Sequence, residues 1–169
     1  MSEYKTLTHE FPPVYDENSN ILILGSFPSV KSREVQFYYG HPRNRFWKVL
    51  AAVFESPLPE SVEEKKAFLK ENGIALWDVI EQCDIIGSSD SSIKNVIPTD
   101  LNVIVNSAPV EQIYCNGSTS YKLFNKYQAK STGRLAVRLP STSPANAAQS
   151  LERLIKEWKI ICNVQHSSS

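Results

Sequence analysis

Cysteine is scarce in this sequence, and the scarcity argues against several classes of protein at once. The chain of 169 residues has three cysteines, Cys83, Cys115 and Cys162, which are odd in number and far apart. They provide neither the even set of a disulfide framework nor the closely spaced ligands of a zinc or iron–sulfur site. We therefore expect a protein of a reducing compartment that works without a metal and without a cofactor.

Net charge and long apolar runs are also absent. Lysine plus arginine number 18, and aspartate plus glutamate number 18, so the formal net charge is zero. No run approaches the roughly 20 apolar residues of a membrane span, and residues 1–11 lack the apolar core of a secretion signal. The sequence therefore does not indicate a membrane protein. The zero net charge also argues against a surface that is basic throughout and binds nucleic acid by charge alone. Positive charge for that purpose would have to be local.

The length suits a single domain over residues 1–169. Strands alternate with helices along the chain, which predicts an α/β fold, a three-layer αβα sandwich with a mostly parallel central sheet. Strands are expected at 21–24, 111–115 and 135–139, with an extended or turn segment at 74–78 and a helical turn at 79–83. Residues 1–20 are expected to form an irregular N-terminal arm, and residues 163–169 a flexible tail.

The stretch from residue 21 to residue 54 holds the most information. Its first four residues, ILIL, form the continuous apolar run of a strand that is buried on both faces. Gly25 and Pro28 end that strand, and ligands of open α/β sheets bind beyond the carboxyl ends of the strands. Two further loops, 116–119 and 140–146, are expected at the same edge. The second is expected to open the last helix, with Ser143 as N-cap and Pro144 after it.

The loop between residues 25 and 48 mixes cations with aromatic rings. Its cations can meet phosphates and its rings can stack on bases, which is a combination typical of nucleic-acid surfaces. A solvated charged loop beside core aromatics explains the same composition equally well, so both interpretations stay open. The residues concerned are Lys31, Arg33, Arg43, Arg45 and Lys48, interleaved with Phe37, Tyr38, Tyr39, Phe46 and Trp47.

The order of several short segments is more specific than this composition. They are GSFPS at 25–29, QFYYGHPRNRFW at 36–47, ALWDVIEQC at 75–83, IYCNG at 113–117 and LPSTSPAN at 139–146. Together they resemble the uracil-DNA glycosylase superfamily, with the closest match to its hypoxanthine-DNA glycosylase branch. That resemblance covers nearly the whole chain and implies an αβα sandwich that excises deaminated bases from DNA.

One position departs from most of that superfamily. The third residue of GSFPS is Phe27, where most members carry an Asp or Asn that orients the attacking water. The hypoxanthine branch lacks that polar group too, and the resemblance assigns the catalytic asparagine to the later HPRNRFW segment, at Asn44. Asn44 also directly precedes an amphipathic helical pattern, so an N-cap role explains it as well.

The resemblance assigns further roles. Tyr39 would stack on the extruded base, or alternatively pack on its own loop, and His41 would polarise the base or simply form a His-Pro turn. The base-binding candidates are Gly25, Ser26, Phe27, Tyr39, His41 and Asn116. The DNA-binding candidates are Pro28, Ser29, Lys31, Arg43, Arg45, Ser141, Thr142 and Ser143. Asp90, in the polar loop 87–92, is a minor candidate for positioning substrate, although a plain surface connection explains that loop.

The implied activity is hydrolysis of the N-glycosidic bond, most specifically that of hypoxanthine, after the nucleotide is flipped out of the helix. No lysine lies at a motif position suited to a Schiff base, so we expect a monofunctional enzyme. The alternatives are a uracil or thymine-mismatch glycosylase and a catalytically inactive nucleic-acid binder. A serine hydrolase is disfavoured because GSFPS is not G-x-S-x-G. We expect a monomer acting on double-stranded DNA in the cytoplasm, at the nucleoid, with single-stranded DNA left open.

Overall fold

The computed structural model describes residues 3–162, and the tail expected at 163–169 lies outside the described residues. Within that range the strands and helices alternate along much of the chain. The strands are β1 Lys5–Thr8, β2 Ile21–Gly25, β3 Ile74–Asp78, β4 Ile80–Ile85, β5 Lys94–Pro98, β6 Gln112–Asn116 and β7 Ala136–Leu139. The helices are α1 Val30–Val35, α2 Phe46–Val53, α3 Val62–Glu71, α4 Asn102–Val105, α5 Ser118–Tyr127, α6 Ala129–Thr132 and α7 Leu151–Trp158.

The central sheet has the strand order β3-β2-β6-β7, and every pair in it is parallel. β2 is fully buried, as its continuous apolar sequence predicts. From β2 the chain proceeds to β3 on one side, whereas β6 occupies the other side. The strand order therefore reverses beside β2, and such a switch point is where ligands of open sheets bind. The α/β sandwich with a mostly parallel central sheet is confirmed.

A second sheet, of order β1-β4-β5, is antiparallel and corrects two expectations. Residues 79–83 do not form a helical turn, because β4 takes hydrogen bonds from strands on both of its edges. Residues 1–20 are not simply an irregular arm, because β1 is paired with β4 and Val14 bridges to Leu76 of β3. Phe11 and Val14 are buried in the core, so this segment is anchored to the domain.

The last helix starts later than the sequence suggests. α7 begins at Leu151, and its N-cap is Ser150, whose side chain accepts a hydrogen bond from the N–H of Arg153 at 3.1 Å. The expected N-cap, Ser143, instead accepts from the N–H of Ala145 within an irregular loop. Trp158 of α7 is buried and donates its indole N–H to the carbonyl of Pro140, which fixes the start of that loop.

Candidate active site

A cavity of about 370 Å³ opens at the carboxyl edge of the central sheet, beside the switch point. It collects residues that are distant in sequence because the ends of β2, β3 and β6 meet there. Most of the site residues expected from the sequence line it, namely Gly25, Ser26, Phe27, Pro28, Ser29, Tyr39, His41, Asn44, Asn116, Ser141, Thr142 and Ser143. Ser88, Asp90 and Asp78 line it as well.

Asn44 lines the cavity, and the N-cap of α2 is not Asn44, as the sequence suggested, but the next residue, Arg45. Oδ1 of Asn44 accepts a hydrogen bond from the N–H of Phe46, the first residue of α2, at 2.9 Å. The same oxygen accepts from the hydroxyl of Thr142 at 2.8 Å. Two donors therefore fix the carboxamide, and its Nδ2 forms no hydrogen bond to any residue between 3 and 162. The amide nitrogen is the group that Asn44 can offer to the cavity.

Thr142 forms the centre of a relay between two asparagines. Its hydroxyl donates to Asn44 and accepts from Nδ2 of Asn116 at 3.0 Å, and its N–H donates to Oδ1 of Asn116 at 3.0 Å. Thr142 is fully buried, and its hydroxyl is hydrogen-bonded to Asn44 and Asn116 inside the protein. The predicted contact of this hydroxyl with DNA is therefore replaced by a role within the fold. The relay ties the end of β6 and the loop after β7 to the residue that precedes α2.

Arg45 also has a different role from the one expected. Its guanidinium donates to the carbonyls of four residues in the loop between β7 and α7, namely Thr142, Ser143, Asn146 and Gln149. Its backbone N–H donates to the carbonyl of Thr142 as well, at 3.1 Å. A guanidinium bonded in this way is not available to phosphates, so Arg45 holds the loop in place of contacting DNA. The planar fork of arginine suits such multiple contacts.

The two other expected DNA cations, Lys31 and Arg43, are exposed and lie outside the cavity lining. Lys31 forms an exposed ion pair with Glu34 at 3.1 Å, which is one helical turn away. The N–H of Arg43 donates to Nδ1 of His41 at 3.0 Å, and the carbonyl of His41 accepts from the N–H of Asn44. His41 therefore forms a His-Pro turn, and its ring also lines the cavity.

Tyr39 presents an aromatic ring to the cavity from a strained position. Its backbone lies in the left-handed region, with φ of 53°, and its ring stacks on Phe46 with centroids 3.9 Å apart. The phenol oxygen is buried beside the side chain of Asn116. Burial raises the pKa of Tyr39, and the charge of Asp78 raises it further, so the phenol stays protonated.

The polar loop 87–92 is more than a plain surface connection, because its Ser88 and Asp90 line one side of the cavity. Its Ser88 hydroxyl accepts from the N–H of Val30 at 2.8 Å, and its Gly87 carbonyl accepts from Arg33 at 3.0 Å. Asp90 accepts from the hydroxyl of Ser26 at 3.0 Å. These bonds attach the loop to the segment that follows β2.

Sequence reasoning missed Asp78 and His9. Asp78 ends β3, lies opposite Gly25 in the sheet and is 4% exposed, and its Oδ2 is 2.8 Å from Nε2 of His9. Burial by itself lowers the pKa of His9, but the hydrogen bond and charge of Asp78 outweigh it and raise that pKa. A carboxylate directly after the apolar run at 74–77 was the available signal for Asp78. Nothing local marks His9, because its partner is 69 residues away.

The carboxylate of Asp78 leaves room only for a glycine at position 25. A side chain at position 25 would place its Cβ 2.5 Å from Oδ1 of Asp78 and 3.0 Å from the hydroxyl of Tyr39. Real Cβ atoms do not come so close to another heavy atom, so any larger residue would displace Asp78. The glycine therefore makes room for Asp78 and Tyr39 to meet at the end of β2.

This fold and cavity define an α/β protein with a pocket at a sheet switch point, and comparison with known proteins identifies the family. The model of the Uracil DNA glycosylase superfamily matches residues 12–164, so the chain belongs to that superfamily.

Two relatives and one solved structure are similar over much of the chain. A Hypoxanthine DNA glycosylase of Methanosarcina acetivorans is 37% identical over 155 residues, covering 89% of this chain and 95% of the relative. One of Methanosarcina barkeri is 38% identical over 112 residues, covering 65% and 71%. A solution NMR structure of a Methanosarcina acetivorans protein, named for uracil DNA glycosylase, has a TM-score of 0.78 at 34% identity and covers 94% and 97%.

The described part of the chain contains neither a cluster of metal ligands nor a membrane-spanning helix. Between residues 3 and 162, no group of three or more His, Cys, Asp or Glu side chains is arranged to hold a metal ion. No helix in that range is both long and apolar enough to cross a membrane.

Proposed function

We propose that this protein is a monofunctional DNA glycosylase that hydrolyses the N-glycosidic bond of deaminated bases, with hypoxanthine as its main substrate. One observation carries the proposal: Asn44 lines a cavity at the sheet switch point and is fixed there by Thr142 of the second-motif loop. The names of the two Methanosarcina relatives support hypoxanthine as the base. Because its substrate is DNA, we propose the nucleoid as its place of action.

The target nucleotide enters the cavity by rotating out of the duplex, since the bond is unreachable within the stack. Unstacking costs a few kcal/mol and costs least at a mispaired base such as hypoxanthine. One face of Tyr39 is already packed on Phe46, so the ring is a rigid platform for an incoming purine. Stacking of a base on an aromatic ring returns about 1–3 kcal/mol.

Bond cleavage develops positive charge on the sugar and negative charge on the departing base. A carboxamide is too weak a base to deprotonate water, so Asn44 acts by position. Because its Oδ1 is already occupied by two donors, Nδ2 donates to the water oxygen and leaves a lone pair aimed at the anomeric carbon. Positioning of this kind supplies much of the rate gain when the leaving group departs early. Backbone N–H groups near Ser26 and Phe27 stabilise the negative charge on the base.

The rest of the site supports DNA binding and monofunctional chemistry. No lysine of the described residues lines the cavity, so no amine there can form a Schiff base with the sugar. Pro28, Ser29, Ser141 and Ser143 lie at the cavity wall, where a bound strand would pass. Exposed Lys31 and Arg43 provide positive charge nearby, and phosphate contacts of this type position DNA without reading sequence.

The test is incubation with duplexes that carry a single inosine, uracil, xanthine or mismatched thymine, followed by alkali. Scission confined to inosine, or strongest with it, is the expected result. Scission strongest with uracil or thymine would replace hypoxanthine as the substrate, and none with any lesion would favour an inactive binder. A borohydride-trappable adduct would contradict the monofunctional mechanism.

Asn44→Ala provides the matched mechanistic test. This variant should lose cleavage while it still binds the inosine duplex, because the cavity and the exposed cations remain. Loss of binding together with cleavage would require the stability of the variant to be measured. Undiminished turnover would move the water-positioning role to another residue.

A further inference from the structure

The mechanism above leaves the carboxyl group of Asp90 without a role. Asp90 begins the short 3₁₀ turn Asp90–Ser92, and it lines the cavity. Its Oδ1 accepts a hydrogen bond at 3.0 Å from the hydroxyl of Ser26, which is 64 residues away. Because Ser26 follows β2 directly, this bond fixes the carboxyl group at the edge of the sheet where the extruded base would lie.

The cavity contains a second carboxylate, Asp78, and the two have different partners. Oδ2 of Asp78 lies 2.8 Å from Nε2 of His9. Between residues 3 and 162, no lysine, arginine or histidine side chain lies within 4 Å of the Asp90 carboxyl group. Two carboxylates in one cavity, of which one has a basic partner, favour protonation of the other. Such a division of states is how enzymes obtain an acid from a carboxyl group.

The surroundings of Asp90 favour its protonated form. Loss of hydration raises its pKa, the hydrogen bond from Ser26 lowers it, the charge of Asp78 raises it, and the side chain of Thr119 lowers it, with a raised pKa as the net result. Asp90 nevertheless remains an exposed residue. Water can therefore reach its carboxyl group and return a proton after each turnover.

Three further ionisable groups face Asp90 from neighbouring elements, and none of them replaces it as an acid. Burial raises the pKa of Tyr39, and it raises the pKa of Cys83 on β4 to about 11, so both hold their protons tightly. Arg33 of α1 donates to the carbonyl of Gly87 at 3.0 Å and is permanently charged. Of these groups, Asp90 is the one that can both give up and regain a proton readily.

The excision of a purine gains from a proton donor, because the electron pair of the broken bond stays on the departing base. Hypoxanthine has a lone pair at N7, in the same ring as N9, and a proton bound there neutralises the negative charge as it develops. Proton transfer from a positioned side chain contributes typically about 10²–10⁴-fold to the rate. The backbone N–H groups near Ser26 and Phe27 can stabilise the charge, but they cannot give up their protons.

We propose that Asp90 is a catalytic residue, a general acid that donates its proton to N7 of the departing purine. As the bond between C1′ and N9 breaks, its electron pair moves to the base, which leaves as neutral hypoxanthine. The water held by Asn44 adds its oxygen to C1′ and releases one proton to solvent, and solvent returns a proton to the Asp90 carboxylate. Ser26 is a positioning residue that holds this carboxyl group. The inference rests on the proposed glycosylase function.

The first test is the pH dependence of single-turnover excision from an inosine duplex, measured from about pH 5 to pH 9. A general acid must be protonated, so the wild-type rate should be full below the raised pKa of Asp90 and should fall as pH rises through it. Asp90→Asn can still accept from Ser26 but has no acidic proton. Its rate should be about 100-fold lower or less, and this alkaline decline should be absent. Asp90→Glu, which keeps the carboxyl group, should restore part of both.

The second test uses a base that leaves without an acid. N7-methyldeoxyinosine already carries a positive charge on its base, so protonation at N7 is neither possible nor needed. Asp90→Asn should excise this base at a rate within about fivefold of the wild type, after subtraction of the spontaneous loss, although it excises hypoxanthine about 100-fold more slowly. A merely structural role would slow both substrates equally.

Asp84→Asn is the matched control, because Asp84 lies on β4, bonds Thr6 and does not line the cavity. This variant should keep the wild-type rate and pH profile.

The outcomes separate this inference from the proposed function. If the wild type excises hypoxanthine and Asp90→Asn keeps the wild-type rate and alkaline decline, the role of Asp90 is wrong and the glycosylase proposal stands. Equal slowing of both substrates in Asp90→Asn would also contradict the general acid. If the wild type excises no deaminated base, both proposals are wrong. A decline that disappears in Asp90→Asn, together with preserved excision of the methylated base, would establish Asp90 as the acid.

Discussion

Replacing Thr142 with valine is expected to slow base excision strongly while the fold is kept. Valine has nearly the volume of threonine but lacks the hydroxyl, which donates to Asn44 and accepts from Asn116. Two hydrogen bonds are lost, and the amide of Asn116 is left without that partner. Unfolding in urea should show a loss of about 1–3 kcal/mol. Asn44, freed of one of its two donors, can rotate, and misplaced catalytic groups of this kind cost roughly 100-fold in rate.

Thr142→Ser is the matched control for this prediction. Serine keeps the hydroxyl and loses one buried methyl, so stability should fall by about 1 kcal/mol. The relay remains, and the single-turnover rate on an inosine duplex should stay within a few-fold of wild type. Rates should be measured with enzyme in excess, so that product release does not hide the chemical step. A valine variant as fast as the serine variant would refute the argument that the relay positions Asn44.

Three further outcomes follow from contacts described above. Arg45→Lys should destabilise the protein by about 2–4 kcal/mol in urea unfolding, because a compact ammonium cannot reach all four carbonyls of the loop after β7. Unchanged stability would contradict the conclusion that Arg45 holds this loop. Gly25→Ala should lower inosine excision at least about tenfold and lower the free energy of unfolding by about 1–3 kcal/mol, because the new Cβ collides with Asp78. A wild-type rate would show that the backbone at the end of β2 can move to accommodate the methyl group. His9→Gln should be less stable than wild type below pH 6.5, the ordinary pKa of histidine. Because the folded pKa of His9 is raised, its charge-dependent stabilisation is complete there and is lost as pH rises through the raised value. The difference in melting temperature should therefore shrink at alkaline pH, where the nearby charges of Asp78 and Glu81 face a neutral imidazole; a pH-independent difference would contradict the ion pair.

The sequence predicted those elements whose causes are local. β2 follows from its uninterrupted apolar run, which Gly25 ends. β4 was misread because Val79, Ile80 and Cys83 have spacings that suit a helical turn as well. Only its pairing with β1 and β5, which are distant in sequence, makes it a strand. The late start of α7 has a similar cause, because Arg45 binds the carbonyls of the preceding loop.

The site shows the same division between local and distant causes. The resemblance and the loop pattern selected most of the residues that line the cavity, among them Asn44 and Tyr39. They did not reveal which of these residues hold one another, because the bonds from Thr142 and Arg45 join segments about 100 residues apart. The pairing of His9 with Asp78 was hidden for that reason too.

The relay through Thr142 has a consequence for how the enzyme responds to acidity. Two carboxamides and an aliphatic alcohol neither gain nor lose protons in the range where proteins stay folded, so the apparatus around Asn44 is electrically neutral throughout. Its contribution to the rate should therefore not change with pH. Any slope at the acidic or alkaline end must originate elsewhere, in ionisable neighbours such as His9 and Asp90, whose pKa values are both raised, or in the nucleic acid itself.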